Sequence, residues 1–452
     1  MNGIELIKRA MGIGEAERVP WVPFVGVHAA KLIGIGADEY LKSSDHIVKG
    51  ISKAIELYNP DGIPIVFDLQ VEAEILGCKL KWSDNSPPSV ISHPLAEGMR
   101  LEDLQIPCPG KGRIPVIMEA TRQIRDHHPD IALYGLITGP FTLTLHLLGT
   151  DIFMKMFEDP DEIHNLMQFS TKMAKMMASQ YIEAGCDVIA MVDPMTSQID
   201  PVSFESFVKP YASEIFDFVR DQRCLSSFFV CGNARQNIEL MCQCRPDNIS
   251  IDENIPLDFV RDAALNHQIS FGGNMKLTVA LLMGTQDDSR HEALSCLDTG
   301  GKKGFILAPG CDLPFDTPPE NLVAVAELVH NEMLQGQVRA SSVPLKEVEK
   351  LDLSKHWSTK QVVIDIVTLD SSSCAPCQYM VNAVERAALP FGEKVTFMEH
   401  KITERLGVQM MASLGVKNLP TIVMDGNIEF ISQIPPVSQI ESKIREYLGK
   451  KT

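Results

Sequence analysis

Residues 225–274 read LSSFFVCGNARQNIELMCQCRPDNISIDENIPLDFVRDAALNHQISFGGN. Three short apolar runs stand out in this stretch: LSSFFVC (225–231), NISIDE (248–253) and ISFGGN (269–274). A helical stretch around MCQCR separates the first two. Runs that are apolar throughout, rather than alternating, read as strands buried on both faces, the habit of parallel sheets. On either side the same kind of run recurs at PWVPFVGV (20–27), GIPIVFD (62–68), IALYGLI (131–137), CDVIAMVD (186–193) and KGFILAPG (303–310). Helical periodicity fills most of the gaps, as in HNLMQFSTKMAKMMASQYIEAG and ENLVAVAELVHNEML. Eight such runs predict a parallel sheet closed as a (β/α)8 TIM barrel. An open doubly wound sheet is the alternative, and it normally has fewer strands.

Several runs end in polar or special residues: Asp68, Asp193, Cys231, Glu253, Asn274, and Cys311 just past the last. In such a barrel all strand C-termini face one rim, where active sites are built. Residues far apart in sequence are therefore expected to converge. For Asp68, Asp193 and Asn274 the competing duty is to cap a following helix, a common role of Asp and Asn.

The chain has 452 residues and a formal net charge of -18. It is too long for one ordinary domain, and a barrel joined to a domain of about 100 residues accounts for it. The negative charge, with no run of Lys and Arg, argues against nucleic acid and anionic membrane surfaces as partners. The first residues, MNGIELIKRAMGIGEAERVP, lack the apolar core of an export signal, and no apolar run is long enough to span a bilayer. The expected location is the cytoplasm. There, eleven cysteines point to thiols, metal ligation or redox chemistry rather than structural disulfides.

The expected division is a barrel over 1–335, a polar linker over 336–360 and a second domain over 361–452. In the last, strand VVIDIVT (362–368) leads to SSSCAPC opening a helix. Strand KVTFMEHKI, helix ERLGVQMMASLG, strands TIVMD and IEFIS around a turn at Gly426-Asn427, and helix VSQIESKIREYLG follow. A thiol at a helix N-terminus gains thiolate stabilisation from the free N–H groups, and the i, i+3 spacing lets Cys377 reach Cys374. This order of elements, the Cys374-Ala-Pro-Cys377 motif and Asn418-Leu-Pro420-Thr at the cis-proline position resemble the thioredoxin superfamily. The resemblance implies that Cys374 attacks and Cys377 resolves. Half of a zinc site is the competing reading of the pair.

In the large domain, FDLQVEAEILGC (67–78), ITGPFTL (137–143), AGCDVIAMVDPMTS (184–197), FVKPY (207–211), VCGN (230–233), SIDEN (250–254), GGN (272–274) and ILAPGCDLPFDTPPENL (306–322) together resemble the uroporphyrinogen decarboxylase superfamily. VEAE-LGC and APGCDLP-TP-EN are similar to its methylcobamide:coenzyme M methyltransferase branch. That resemblance implies methyl transfer from a corrinoid, carried by a partner protein, to a small thiol held on zinc. The implied zinc ligands are a His-x-Cys at one strand end and a Cys after the last strand.

Cys231 and Cys311 match the two cysteines, but Phe229 stands where the histidine belongs. Residues i and i+2 of a strand face the same way, so Phe229 is expected to point into the site and cannot ligate. Three arrangements remain open. Glu253 completes a metal site with Cys231 and Cys311, an imidazole such as His28 or His146 does so, or the metal is gone and the cysteines act otherwise. Asp193, Asn274, Asp68 and His28 are the candidates for binding substrate, whereas Cys242 and Cys244 read as incidental.

Porphyrinogen decarboxylation needs arginines near the N-terminal strand to clamp carboxylates. None lies between Arg18 and Arg100, which argues against it. The leading expectation is therefore a corrinoid-dependent methyltransferase with a fused thiol-redox module. The alternative is a catalytically divergent barrel that binds a corrinoid protein or a tetrapyrrole, while the CxxC domain acts as a thiol-disulfide oxidoreductase.

Overall fold

A computed structural model describes residues 1–341, 348–372 and 374–451. The chain forms two compact units, Met1–Val343 and Pro344–Thr452.

The first unit is built on a seven-stranded parallel sheet. Its strands, in both sequence and spatial order, are β1 (Gly62–Pro64), β2 (Ala132–Thr138), β3 (Val188–Val192), β4 (Leu225–Val230), β5 (Asn248–Ile251), β6 (Ser270–Met275) and β7 (Phe305–Pro309). Each corresponds to one of the apolar runs, and β2, β3, β5, β6 and β7 are buried along their whole length. Burial on both faces is why these runs show no alternation.

The run at 20–27 is not a full strand. It is extended chain that bridges β7 at Trp21 and Leu307 in parallel. Val22 N–H donates to the Leu307 carbonyl, and Leu307 N–H donates to that of Pro20, both at 2.9 Å. On its other side the Trp21 carbonyl accepts from Asp61 N–H (2.9 Å) and Gly62 N–H (3.4 Å), at the start of β1. This run joins the two edges of the sheet and closes the ring. The interior is packed by Val22, Phe24, Tyr134, Leu136, Ala190, Val192, Phe229, Ile306 and Ala308, with Ile7 and Met11 of the first helix, Gly3–Met11, against them.

The crossovers begin and end on local signals. The helix Pro160–Ala184 starts at Asp159, whose side chain accepts from Glu162 N–H, and has proline in its first turn. It stops at Gly185, whose φ of 106° few other residues adopt.

The second unit holds β8 (Val362–Thr368), β9 (Val395–Lys401), β10 (Thr421–Met424) and β11 (Asn427–Ile431) in the order β9-β8-β10-β11. β8 and β9 are parallel, and the other pairs are antiparallel. Helices Ala375–Ala388 and Val437–Lys451 supply Met380, Val384, Ile440 and Ile444 to a core shared with Val362, Ile364 and Ile366 of β8. The β10–β11 turn sits one residue earlier than expected, at Asp425-Gly426, where both φ values are positive (44° and 82°) as a tight hairpin turn requires. Of the expected 336–360 linker, residues 336–340 belong to the helix Glu332–Ala340, while Leu351, His356 and Trp357 are hydrogen-bonded within the second unit. Among the described residues, no helix is long and apolar enough to cross a membrane.

Candidate functional site

Strands β4 and β7 both end at the C-terminal rim of the ring, and each is followed by one cysteine. The Sγ atoms of Cys231 and Cys311 lie 2.6 Å apart. The Cys231 thiol is pushed well above its ordinary pKa by its hydrogen bond to Cys311, then by burial, with the charges of Asp252 and Asp312 adding to it. The pair shares one hydrogen bond between its sulfurs. It can grip a soft cation, exchange with a disulfide, or present sulfur to an incoming carbon.

Phe229 points into the interior, as the strand period requires. Its ring centroid is 5.2 Å from that of Phe24 and 5.9 Å from that of Phe67. Where the resemblance implies an imidazole ligand, the sequence supplies an aromatic trio that makes the floor of the site apolar.

The other ligand candidates do not join the sulfurs. Glu253 Oε2 accepts from Leu277 N–H at 2.5 Å, and burial first, then the neighbouring Asp252 charge, raises its pKa to about 8. His28 is buried, with Nε2 2.7 Å from Tyr58 Oη and Nδ1 3.1 Å from the Phe315 carbonyl. Burial lowers its pKa to about 4, so it is a neutral structural tie at neutral pH. His146 is buried too, and burial lowers its pKa to about 3. Among the described residues, no third His, Cys, Asp or Glu ligand atom stands within 4.8 Å of both sulfurs. The donor set therefore does not fit a zinc ion held by three protein ligands.

The polar residues at the strand ends build the rim. Asp193 is fully buried and reaches across to the helix Pro140–Leu148. Its Oδ1 accepts from Thr142 N–H (2.8 Å) and Thr142 Oγ1–H (2.6 Å), and its Oδ2 from Phe141 N–H (3.2 Å). This is a helix cap supplied by a neighbouring strand, and burial raises the carboxyl pKa to about 6. Gly139 packs its α-carbon against Asp193, and any side chain there would collide with the carboxylate. Asn274 donates from Nδ2 to the carbonyls of Ile255 (2.7 Å) and Asp252 (3.2 Å), fixing the loop after β5.

Asp68 accepts from Gln70 N–H through Oδ1 and from Arg113 through Oδ2, the latter at 2.6 Å. Arg113 was not among the expected site residues. It is buried, donates also to Glu74 (2.7 Å) and lies over the Trp82 ring at 4.9 Å. A lone arginine in KGRIPV gives no periodic signal, so only the fold reveals it. Glu72, within the quoted VEAE stretch, accepts from Thr138 N–H and Oγ1–H, each at 2.9 Å.

In the second unit Cys374 and Cys377 form a disulfide. Cys374 is the N-cap of the helix Ala375–Ala388 and partly exposed, while Cys377 is fully buried. The Leu419–Pro420 peptide bond is cis.

Residues 2–332 match the family described as uroporphyrinogen decarboxylase (URO-D). A methylcobamide:CoM methyltransferase of Methanosarcina acetivorans is 28% identical over 275 residues, 60% of this chain and 80% of its own length. A uroporphyrinogen decarboxylase of an Anaeromyxobacter species is 26% identical over 311 residues, 66% of this chain and 88% of its own. Among solved structures, a methyltransferase from Methanosarcina mazei superposes with a TM-score of 0.68 at 26% identity, covering 73% of this chain and 98% of that one.

Proposed function

The chain belongs to the uroporphyrinogen decarboxylase (URO-D) family, and from that premise we propose that it is an enzyme moving a methyl group from a methylcobamide, carried by a partner corrinoid protein, to a small thiol. The observation that carries this reading is the meeting of Cys231 and Cys311 at the rim. In the transfer, a C–S bond forms as the cobalt–carbon bond breaks. Cobalt keeps the electron pair and passes from the +3 to the +1 state, and the thiol proton is released. No step is assigned to zinc, because the residues around the sulfurs do not complete its ligand set. The chain contributes the sulfur pair where the methyl group must arrive, an apolar floor of Phe24, Phe67 and Phe229 that excludes water, and a rim held by Asp193, Asn274 and the Asp68–Arg113 pair.

The test is direct. Incubated with methylcobalamin and small thiols, the protein should consume the methyl–cobalt absorbance. Cys231→Ser and Cys311→Ser should each slow this at least about 100-fold, equivalent to about 2.7 kcal/mol of barrier. Wild-type rates in both variants, or no consumption with any thiol, would overturn the reading.

For the second unit the reading is a thioredoxin-like thiol–disulfide exchange module, supported by its strand order, the helix-capping Cys374 and the buried Cys377. In the reduced unit, Cys374 thiolate attacks a partner disulfide, and Cys377 thiolate then displaces the mixed disulfide. Two electrons pass to the partner, which leaves as a dithiol, and the Cys374–Cys377 bond is re-formed. The nine further cysteines, all free, fit a reducing cytoplasm. Reduced protein should cleave a small aromatic disulfide, and Cys374→Ser should abolish turnover.

A further inference from the structure

Behind the sheet of the second unit lies a cluster that neither reading uses. Along β8, Val362, Ile364 and Ile366 face the hydrophobic core, so Asp365 between them points to the opposite face. Its side chain is 0% exposed. Its Oδ1 lies 2.8 Å from His400 Nε2, on the adjacent β9, and 2.8 Å from His356 Nε2, on the segment that leads into the sheet. Its Oδ2 accepts from the Trp357 indole N–H at 3.1 Å. His400 is 5% exposed and His356 26% exposed, so His356 is the most accessible member of the cluster.

A carboxylate taken wholly out of water needs a compensating positive charge, or it is costly to bury. Among the described residues, no lysine or arginine pairs with Asp365, and the groups that face it are two imidazoles and an indole. The three ligand atoms lie within 4.8 Å of one another, the one such group of three His, Cys, Asp or Glu side chains among the described residues. Two imidazole nitrogens and one carboxylate oxygen, with His356 partly exposed to solvent, are the donor set of borderline divalent cations. Trp357 occupies the second carboxylate oxygen, as outer-shell donors do when they fix a ligand's orientation.

We propose that His356, Asp365 and His400 form a binding site for one divalent transition-metal ion of the zinc class, held by two imidazole nitrogens and one carboxylate oxygen with a remaining position open to solvent. Metal binding turns each imidazole from an Nε2–H donor into an Nε2 ligand, with the ring proton on Nδ1 or released. The ion places positive charge beside the buried carboxylate and ties residues 351–359 to the sheet. This site stands apart from the methyl-transfer reading and survives its failure.

The test uses the full chain with the Cys374–Cys377 bond intact, titrated with Co2+ as a spectroscopic probe and then with Zn2+ in competition. One equivalent of cobalt should give visible d–d bands without thiolate-to-cobalt charge transfer, and zinc should displace it. His356→Ala, at the more exposed ligand, should weaken binding by more than about 100-fold, beyond the usual cost of an outer-shell change. Trp357→Phe keeps the ring, removes the N–H on Oδ2 and should weaken binding about tenfold. Circular dichroism identifies a variant that has merely unfolded, and the wild-type spectrum stands whatever that variant does. Absence of d–d bands at stoichiometric cobalt overturns the proposal. So does a cobalt spectrum carrying thiolate charge transfer that Cys231→Ser removes and His356→Ala leaves unchanged.

Discussion

His28 shows how a residue's partners, more than its type, settle its role. In the sequence it is a histidine just past a strand-like run, and a substrate contact was a fair expectation. What no pattern could reveal is that Tyr58 and Phe315 occupy both ring nitrogens. Burial lowers its pKa from 6.5 to about 4, so the native state resists the proton that the unfolded chain accepts. The stability this contributes is complete above about pH 6.5 and is lost as pH falls toward 4. Between pH 7 and pH 5 it should cost about 2 kcal/mol. Denaturant unfolding of wild type and His28→Gln at both pH values checks this: the pH dependence should flatten in the variant by that amount. By contrast, the convergence of Cys231 and Cys311 was legible, because both follow strand ends and a barrel gathers strand ends at one rim. The turning of Glu253 toward Leu277 N–H was not legible, since a strand's end fixes where a carboxylate starts and not which donor it finds.

At the scale of elements, the apolar runs gave the strands to within a few residues, because burial on both faces leaves an unbroken signature. Caps delivered from elsewhere in the chain leave none. The helix Pro140–Leu148 is buried at every position, so it shows no amphipathic face, and its first-turn N–H groups are met by Asp193 from β3. Asp193→Ala should therefore destabilise the fold by about 2 kcal/mol, the upper range for a lost cap, read as a lowered urea midpoint. If capping is its whole duty, KM for the thiol stays at the wild-type value in the folded variant. A raised KM would return Asp193 to the substrate.

At the scale of the whole molecule, the two units each carry a core of their own. Calorimetry of the intact chain should resolve two unfolding transitions, and disulfide reduction should move one of them and leave the other. One transition with equal calorimetric and van't Hoff enthalpies would refute this. That division was legible from the restart of the strand pattern near residue 362, although the cluster at His356, Asp365 and His400 was not, because its members share no motif and meet only when two adjacent strands and the segment before them pack together.

The seam of the ring has a further consequence for how the chain is made. The run that joins its two edges is synthesised almost three hundred residues before one of its partners, Leu307. Until then Trp21 and Val22 lack their backbone partner on the seventh strand, and the growing sheet keeps two unpaired edges. The nascent protein is thus most vulnerable to aggregation just before its seventh strand emerges, and a holding chaperone would matter most in that interval.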